Sequence, residues 1–295
     1  MKDRDMAETS LDGKVVIVTG AVQGLGKAIA EGLAESGAAV AMGGLGGEAL
    51  AAVADSLRER HSADKIFCSE CDISDEAGTK AFVDGALSQF GKIDALVNNA
   101  GLGCAAVRPD FMTNKIPIWL LDPAEWRRVV EVNTIGTFYM TRWAVPHMVE
   151  KGSGRLINVT TTFQTMLAPT FGAYGPSKAG IESMTSILVE ELAGTGVTAN
   201  VVVPGGPADT EQIPDGMIED RGDLLRPGVM VPPIRWLCSD ASSNVSGLRF
   251  AAAEWDDALA SEDAIVRSTK PVAWRQLIEP LVTKDGVDVQ TSRSA

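Results

Sequence analysis

Short runs of apolar, β-branched residues alternate along this chain with longer segments whose apolar residues recur at helical spacing. Residues 14–19 (Lys-Val-Val-Ile-Val-Thr) are typical of a buried strand, and residues 25–36 place Ile29, Ala30 and Leu33 on one face of a helix. Strands that alternate with helices of 10–20 residues predict an α/β fold, in which helices cover both faces of a parallel sheet. The same pattern predicts further strands at 39–42, 65–71, 95–98, 155–159 and 198–202, and further helices at 48–60, 76–90, 123–145 and 177–193.

Two segments interrupt this alternation. Residues 205–232 are rich in Pro and Gly and show weak periodicity, which predicts a long loop or lid. Residues 257–295 follow the last apolar run and are interpreted as a C-terminal extension, with a short amphipathic helix at 272–281. No linker indicates a second domain, so we expect one domain over residues 1–256.

Composition narrows the classes of function. The 295 residues are 45% hydrophobic and 22% charged, which excludes a disordered chain and a disulfide scaffold. A net charge of −13 makes nucleic acid and acidic membrane surfaces improbable partners, because both repel an acidic protein. Without an apolar signal segment or spanning segment, we expect a cytoplasmic protein. Cys68 and Cys71 lack a second pair of ligands, so we predict no metal site.

A glycine-rich turn lies between the first predicted strand and helix. Gly20, Gly24 and Gly26 occur in Thr-Gly-Ala-Val-Gln-Gly-Leu-Gly. Glycines at this position let the backbone approach a pyrophosphate, and the following helix N-terminus presents free N–H groups to it. The alternative is a purely structural turn, but its place after the first strand of an α/β chain favours dinucleotide binding.

Four further motifs follow in order, and together they resemble the short-chain dehydrogenase/reductase family over residues 10–252. They are Asn98-Asn99-Ala100-Gly101, Asn133 in Val-Asn-Thr-Ile-Gly, Tyr174-Gly-Pro-Ser-Lys178, and Pro204-Gly205. The resemblance implies a Rossmann-like, doubly wound parallel sheet and an oxidoreductase that uses NAD or NADP. It implies cofactor contacts from Gly20, Gln23, Gly24, Leu25, Gly26, Asp72, Ile73, Asn99, Ala100, Gly101, Tyr174, Lys178, Pro204 and Gly205. For Asp72 the alternative is a simple turn cap.

The same resemblance assigns catalytic roles. Tyr174 would exchange a proton with the substrate, and Lys178, four residues later on the same helix face, would lower the pKa of that phenol. The family places a serine 13 residues before the tyrosine, and this chain has Thr161 there, which keeps the hydroxyl and adds a methyl group. Asn133 would hold a water that links Lys178 to solvent. Alternatively, Asn133 is a satisfied buried amide and the serine's role is lost.

Cofactor choice is indicated by the end of the second strand. Gly43-Gly44-Leu45 offers neither the carboxylate that binds a ribose hydroxyl nor the cation that binds a 2′-phosphate, and Gln23 stands where relatives that use NADP often have Arg. Because a 2′-phosphate would lack a cation, we favour NAD, with NADP possible.

The predicted function is therefore hydride transfer between NAD and a small, hydrophobic or aromatic secondary alcohol or ketone. The alternatives are an NADPH-dependent 3-oxoacyl-type reductase and a non-catalytic nucleotide-binding or regulatory protein on the same scaffold. The family resemblance also implies a homodimer or homotetramer formed through helices 123–145 and 177–193. The apolar residues expected near the substrate are Leu102, Phe163, Leu167, Phe171, Ile213 and Met217.

Overall fold

The computed structural model describes residues 9–213, 218 and 220–277. An eight-stranded sheet forms its centre, with the strand order β3-β2-β1-β4-β5-β6-β7-β8. Strands β1 to β7 are parallel, and β8 pairs antiparallel with β7. The strands are β1 Val15–Thr19, β2 Ala39–Gly44, β3 Ile66–Glu70, β4 Ala95–Asn98, β5 Gly154–Val159, β6 Val197–Val203, β7 Leu248–Ala251 and β8 Thr269–Pro271.

Helices cover both faces of this sheet. The helices are α1 Gly24–Glu35, α2 Gly47–Arg60, α3 Glu76–Phe90, α4 Cys104–Val107, α5 Pro123–Val130, α6 Gly136–Lys151, α7 Phe163–Leu167, α8 Tyr174–Glu191, α9 Val231–Cys238 and α10 Ser261–Ser268. Alternate residues of β1 enter opposite layers: Val16 and Val18 pack with α1, α2 and α9, whereas Ile17 packs with α3 and α6. The predicted doubly wound α/β fold is confirmed.

The order of the sheet reverses beside β1, since β2 lies on one side of it and β4 on the other. In open parallel sheets, ligands bind outside the carboxyl ends of the strands at such a reversal. Thr19 and Asn98 end β1 and β4 there, and the glycine-rich turn follows Thr19.

The predicted helix at 123–145 is interrupted and longer than expected. Residues Glu131–Ile135 form a π-helical turn between α5 and α6, and α6 continues to Lys151 in spite of Pro146. Single π turns are frequent at functional sites, and Asn133 lies in this one.

The C-terminal extension differs more from its prediction. Strand β8 joins the sheet edge just before the predicted helix, and Val272, the first residue of that helix, is fully buried against Val201 and Val203 in a segment that is not helical. Only a short 3₁₀ turn, Arg275–Leu277, follows, and residues 278–281 of the predicted helix lie outside the described residues.

The expected loop at 205–232 contains two 3₁₀ turns, Arg221–Asp223 and Pro227–Met230, and α9 begins at Val231. In the part of the chain that the structure describes, no helix combines the length and apolar character needed to cross a bilayer.

Candidate active site

The glycine-rich turn forms a cradle that side chains would fill. Gly20 and Gly24 have positive φ angles of 68° and 54°, a region that favours glycine. A Cβ at Gly26 would lie 2.0 Å from the carbonyl oxygen of Gly20. The cap residue Gln23 is exposed, and its side chain makes no hydrogen bond to the first turn of α1. The cap side chain therefore leaves the N–H groups at the start of α1 available to a ligand. These residues fit the pyrophosphate of a dinucleotide.

The cradle is joined to β4 by a small hydrogen-bond network. The backbone N–H groups of Asn99 and Ala100 both donate to Thr19 Oγ1 at 3.1 Å. Asn99 Nδ2 donates to the carbonyl oxygens of Thr19 and Gly20 at 3.0 and 3.4 Å. The side chain of Asn99 therefore holds the turn in place, and its motif is brought next to the glycines as the sequence predicted.

Asn133 connects the segment after β4 to the first turn of α8. Its Oδ1 accepts from Leu102 N at 2.7 Å, and its Nδ2 donates to Leu102 O at 3.0 Å and to Ser177 Oγ at 2.9 Å. Ser177 Oγ in turn donates to Tyr174 O at 2.7 Å. Both amide hydrogens are thus used within the protein, so a bound water would be left with the remaining lone pair of Oδ1.

Lys178 is buried against the last residue of β5. Its Nζ donates to Val159 O at 3.0 Å and lies 5.9 Å from the centre of the Tyr174 ring. A Cβ at Gly101 would stand 3.3 Å from that Nζ and 3.0 Å from Asn133 Oδ1, so a glycine at this position leaves room for the lysine. Burial lowers the pKa of Lys178 to about 8.

The Tyr174 hydroxyl is paired with Thr161. Burial raises the pKa of Tyr174 to about 12, and a hydrogen bond with the Thr161 side chain lowers it in part. This differs from the expectation that Lys178 sets the tyrosine's pKa, because loss of solvent dominates for both groups. The Thr161 side chain is thus a neighbour of the Tyr174 hydroxyl, as a pair that shares one substrate oxygen must be.

A buried ion pair contacts the two residues that follow β5, Thr160 and Thr161. Glu182, four residues after Lys178 on α8, has no exposed surface and accepts from Arg249 Nε at 3.0 Å. The same carboxylate accepts from Thr160 Oγ1 at 2.7 Å and from the Ala273 N–H at 3.1 Å. Arg249 Nη2 also donates to the carbonyl oxygen of Thr161. The C-terminal extension is thereby tied to the backbone of a predicted catalytic residue.

Three predicted cofactor contacts, Asp72, Ile73 and Leu25, have side chains that contact the protein itself. The Asp72 carboxylate accepts from the N–H of Ser74 at 2.9 Å and from its hydroxyl at 2.7 Å, which is the turn cap considered as the alternative. The Ile73 side chain is buried against Gly136, and Leu25, in the first turn of α1, packs against the core. For Ile73 and Leu25, contact with a cofactor would be through the backbone, whereas the exposed Asp72 keeps its second carboxylate oxygen and its contact stays a prediction.

The Pro204-Gly205 motif stays near the strand ends. Gly205 has a φ of 98°, and Pro204 O accepts from Ala253 N at 3.0 Å. Of the expected apolar residues, Phe171 has its ring centre 6.4 Å from that of Tyr174, whereas Leu167 is 73% exposed. Met217 lies outside the described residues.

A family model described as short chain dehydrogenase matches residues 14–213. The chain belongs to this family. A cis-4-hydroxycyclohexanecarboxylate dehydrogenase of Sinomonas cyclohexanicum is 34% identical over 243 residues, covering 79% of this chain and 92% of the relative. A 2-dehydro-3-deoxy-L-rhamnonate dehydrogenase (NAD(+)) of Sphingomonas sp. is 36% identical over 239 residues, covering 79% and 90%.

Solved structures of short-chain dehydrogenases share the fold. A 3-ketoacyl-(acyl-carrier-protein) reductase from Brucella melitensis, complexed with NADH, superposes with a TM-score of 0.71 at 30% identity, covering 81% of this chain and 96% of that one. This short-chain dehydrogenase is therefore an oxidoreductase of a family that binds a nicotinamide cofactor.

Sequence reasoning missed several residues of this short-chain dehydrogenase that the site uses. Glu182 continues the i, i+4 series of Tyr174 and Lys178, so a carboxylate on a buried helix face was a usable signal. The partners Leu102 and Ser177 of Asn133 carry no such signal, because they meet it only through the fold.

A carboxylate at the end of β3 was missed as well. Gly44 pairs with Glu70 across the sheet, and Glu70 Oε1 accepts from Gly46 N at 3.2 Å. The strand end expected to hold the cofactor's ribose therefore carries a negative charge supplied by the neighbouring strand.

Proposed function

We propose that this short-chain dehydrogenase transfers hydride between NAD and a small secondary alcohol or ketone with an apolar, ring-sized body. The observation that carries the proposal is the meeting of Tyr174, Thr161 and Lys178 at the strand ends that also form the glycine cradle. A nicotinamide cofactor held by the cradle would supply the hydride acceptor or donor.

The chain's own residues would handle the proton. In alcohol oxidation, the substrate hydroxyl would lie between Thr161 and Tyr174. Tyr174 would react as the phenolate, its own proton having first passed to solvent, and would take the proton of the substrate hydroxyl as the hydride leaves the carbinol carbon. Thr161 would orient the oxygen by a hydrogen bond, and Lys178 would offer positive charge beside the ring. In ketone reduction, the same tyrosine would return the proton to the carbonyl oxygen.

The preference for NAD is supported by the charge at the end of β2 and β3. The Glu70 carboxylate lies against Gly46, where a 2′-phosphate of NADP would meet like charge. A ribose with a free 2′-hydroxyl could instead donate to that carboxylate. We expect Glu70→Gln to narrow the ratio of kcat/KM for NAD over NADP by about tenfold, consistent with the loss of one charge contact.

The proposal of an apolar substrate is supported by the apolar cavity beside Tyr174. Cys104, Val107, Phe111 and Leu121 line it, as does Trp126. The substrate named for the Sinomonas relative, 4-hydroxycyclohexanecarboxylate, carries its hydroxyl on such a ring, and it is the first compound for a panel of ring alcohols and ketones.

Replacement of Tyr174 tests the assignment, since the chain offers a matched control in its second tyrosine, the half-buried Tyr139. We expect Tyr174→Phe to lower kcat by at least about 100-fold while NADH binding is kept, and Tyr139→Phe to leave both unchanged. The measurements are panel turnover at the nicotinamide absorbance band and NADH fluorescence titration. Near-normal turnover by Tyr174→Phe would exclude the mechanism.

An NADPH-dependent 3-oxoacyl-type reductase is the second candidate. The similarity to the Brucella reductase favours the 3-oxoacyl reaction, but that structure holds NADH and does not favour NADPH. A thioester-linked 3-oxo substrate turned over faster with NADPH than any ring alcohol with NAD would support it. Cofactor binding without turnover over the whole panel would indicate the non-catalytic alternative.

We also propose a homodimer or homotetramer through α6 and α8, whose exposed apolar residues include Phe138 at 46% and Ile187 at 55% exposed. Light scattering on the protein as it elutes from a size-exclusion column would measure its mass, and a mass of one chain, 31.1 kDa, would exclude the dimer and the tetramer.

A further inference from the structure

Arg108 is a buried cation beside the proposed catalytic tyrosine. It directly follows α4, is 8% exposed, and lines the same cavity as Tyr174. The enclosed space of this cavity is small, about 20 Å³, so a ring-sized ligand requires the side chains of its wall to move apart. Arginine this deep is uncommon unless it is paired, because a guanidinium loses its hydration on burial.

The pairing expected for such a group is incomplete within the described residues. The guanidinium donates one hydrogen bond, from Nη2 to the carbonyl oxygen of Asn114, and forms no ion pair. An arginine side chain carries five N–H donors, so most of its hydrogen-bonding capacity is unused by the described residues. Among the described residues, no Arg108 nitrogen is both shielded from solvent and without a partner, so the unused donors are open to solvent and can bind an anion.

The rest of the cavity limits the kind of anion. Its walls are mainly apolar, and the other charged side chain that lines it is Glu125. The carboxylate of Glu125 makes a dianion such as a phosphate ester unfavourable, whereas a monoanion can be held by the planar fork of Arg108. The apolar lining and the charges together fit an apolar body with a carboxylate at one end.

We propose that Arg108 binds the carboxylate of an apolar hydroxy or oxo acid whose reacting oxygen lies at Tyr174. The inference rests on the proposed function, and it narrows the substrate class from ring alcohols to ring-bearing acids. Arg108 thereby determines specificity and orients the substrate in the cavity, while the proton is handled by Tyr174 and Thr161.

The test compares cis-4-hydroxycyclohexanecarboxylate with its neutral methyl ester, using NAD as the cofactor. We expect the wild-type protein to prefer the acid in kcat/KM, and Arg108→Met to reduce the acid-to-ester ratio by at least about 30-fold. Arg108→Lys, which keeps the charge without the fork, is expected to recover part of the ratio. Arg127→Met, on the exposed surface of α5, is the matched control and should leave the ratio unchanged.

Binding gives a readout that does not depend on turnover. Trp126 lines the cavity, so the acid should change the tryptophan fluorescence of the wild-type protein in the presence of NADH, and should do so only at much higher concentration in Arg108→Met. Binding of the acid without oxidation of either compound would contradict the proposed function and keep the carboxylate site. Oxidation of both compounds with an unchanged ratio in Arg108→Met would overturn the carboxylate site and keep the proposed function. If Arg108→Met does not fold, an acid-to-ester ratio near one in the wild-type protein and Arg108→Lys overturns the inference.

Discussion

Replacing Lys178 by methionine should stabilise the protein and abolish its activity. Burial lowers the pKa of Lys178 from 10.5 to about 8. At about 1.4 kcal/mol for each tenfold change in proton affinity, the charged lysine costs the folded state about 3 kcal/mol at pH 7. Methionine fills a similar volume without the charge, and loses only the hydrogen bond to Val159 O, worth about 1 kcal/mol. The expected gain in free energy of unfolding at pH 7 is about 2 kcal/mol.

The pH dependence of this gain follows from the direction of the pKa shift. Below pH 8 the ammonium is charged in both the folded and the unfolded states, and its full cost applies. Between pH 8 and 10.5 the unfolded chain keeps a proton that the folded protein releases, so the wild-type protein gains stability as the pH rises. The advantage of Lys178→Met should therefore shrink by more than about 1 kcal/mol between pH 7 and pH 9.

Urea unfolding at pH 7 and pH 9, at equal protein concentration, measures the gain in free energy of unfolding and its change with pH. Turnover of the ring-alcohol panel is measured in parallel. Lys115→Met is the matched control, since Lys115 is exposed, and its stability should follow the wild-type protein at each pH. A lysine variant that is less stable than the wild-type protein at both pH values, or a gain that does not change with pH, would refute the reasoning.

Three further substitutions test the site. Gly26→Ala places a Cβ 2.0 Å from a backbone carbonyl oxygen of the cradle, so NADH titration should show at least about tenfold weaker binding, whereas Gly228→Ala, which meets nothing within 4 Å, should bind normally. Glu182→Gln leaves a buried guanidinium without its counter-charge, and urea unfolding should show a loss of about 3 kcal/mol; an unchanged midpoint would mean that the pair contributes little. Thr161→Val removes one donor to the reacting oxygen and should lower kcat by about 100-fold, while Thr161→Ser should stay within a few-fold of the wild-type protein.

Local patterns were sufficient for most of the architecture. Runs of β-branched residues and helical spacing are features of neighbouring residues in the sequence. They located strands β1 to β6 and most of the helices between them to within a few residues. The family motifs, at fixed distances along the chain, likewise brought Gly20, Asn99, Tyr174 and Lys178 to that edge.

The prediction was incomplete where contacts join distant parts of the chain. Asn133 reads as a poor helix former within an apolar helix, but its π turn and its contacts with Leu102 and Ser177 depend on two other segments. A short helix was expected at 272–281, yet Val272 is buried against β6 at the sheet edge and residues 272–274 are not helical.

Sequence alone therefore determined the order of the elements, the glycine cradle and the family of the protein, because these follow from residue types and short spacings. Tertiary structure alone decided which ionisable side chains are removed from solvent. It buried Lys178 and Tyr174 so that solvent loss controls their pKa values, placed Glu70 beside the end of β2, and left Arg108 in an apolar cavity. The cost of a charge depends on everything packed around it, and that surrounding is assembled only when the chain folds.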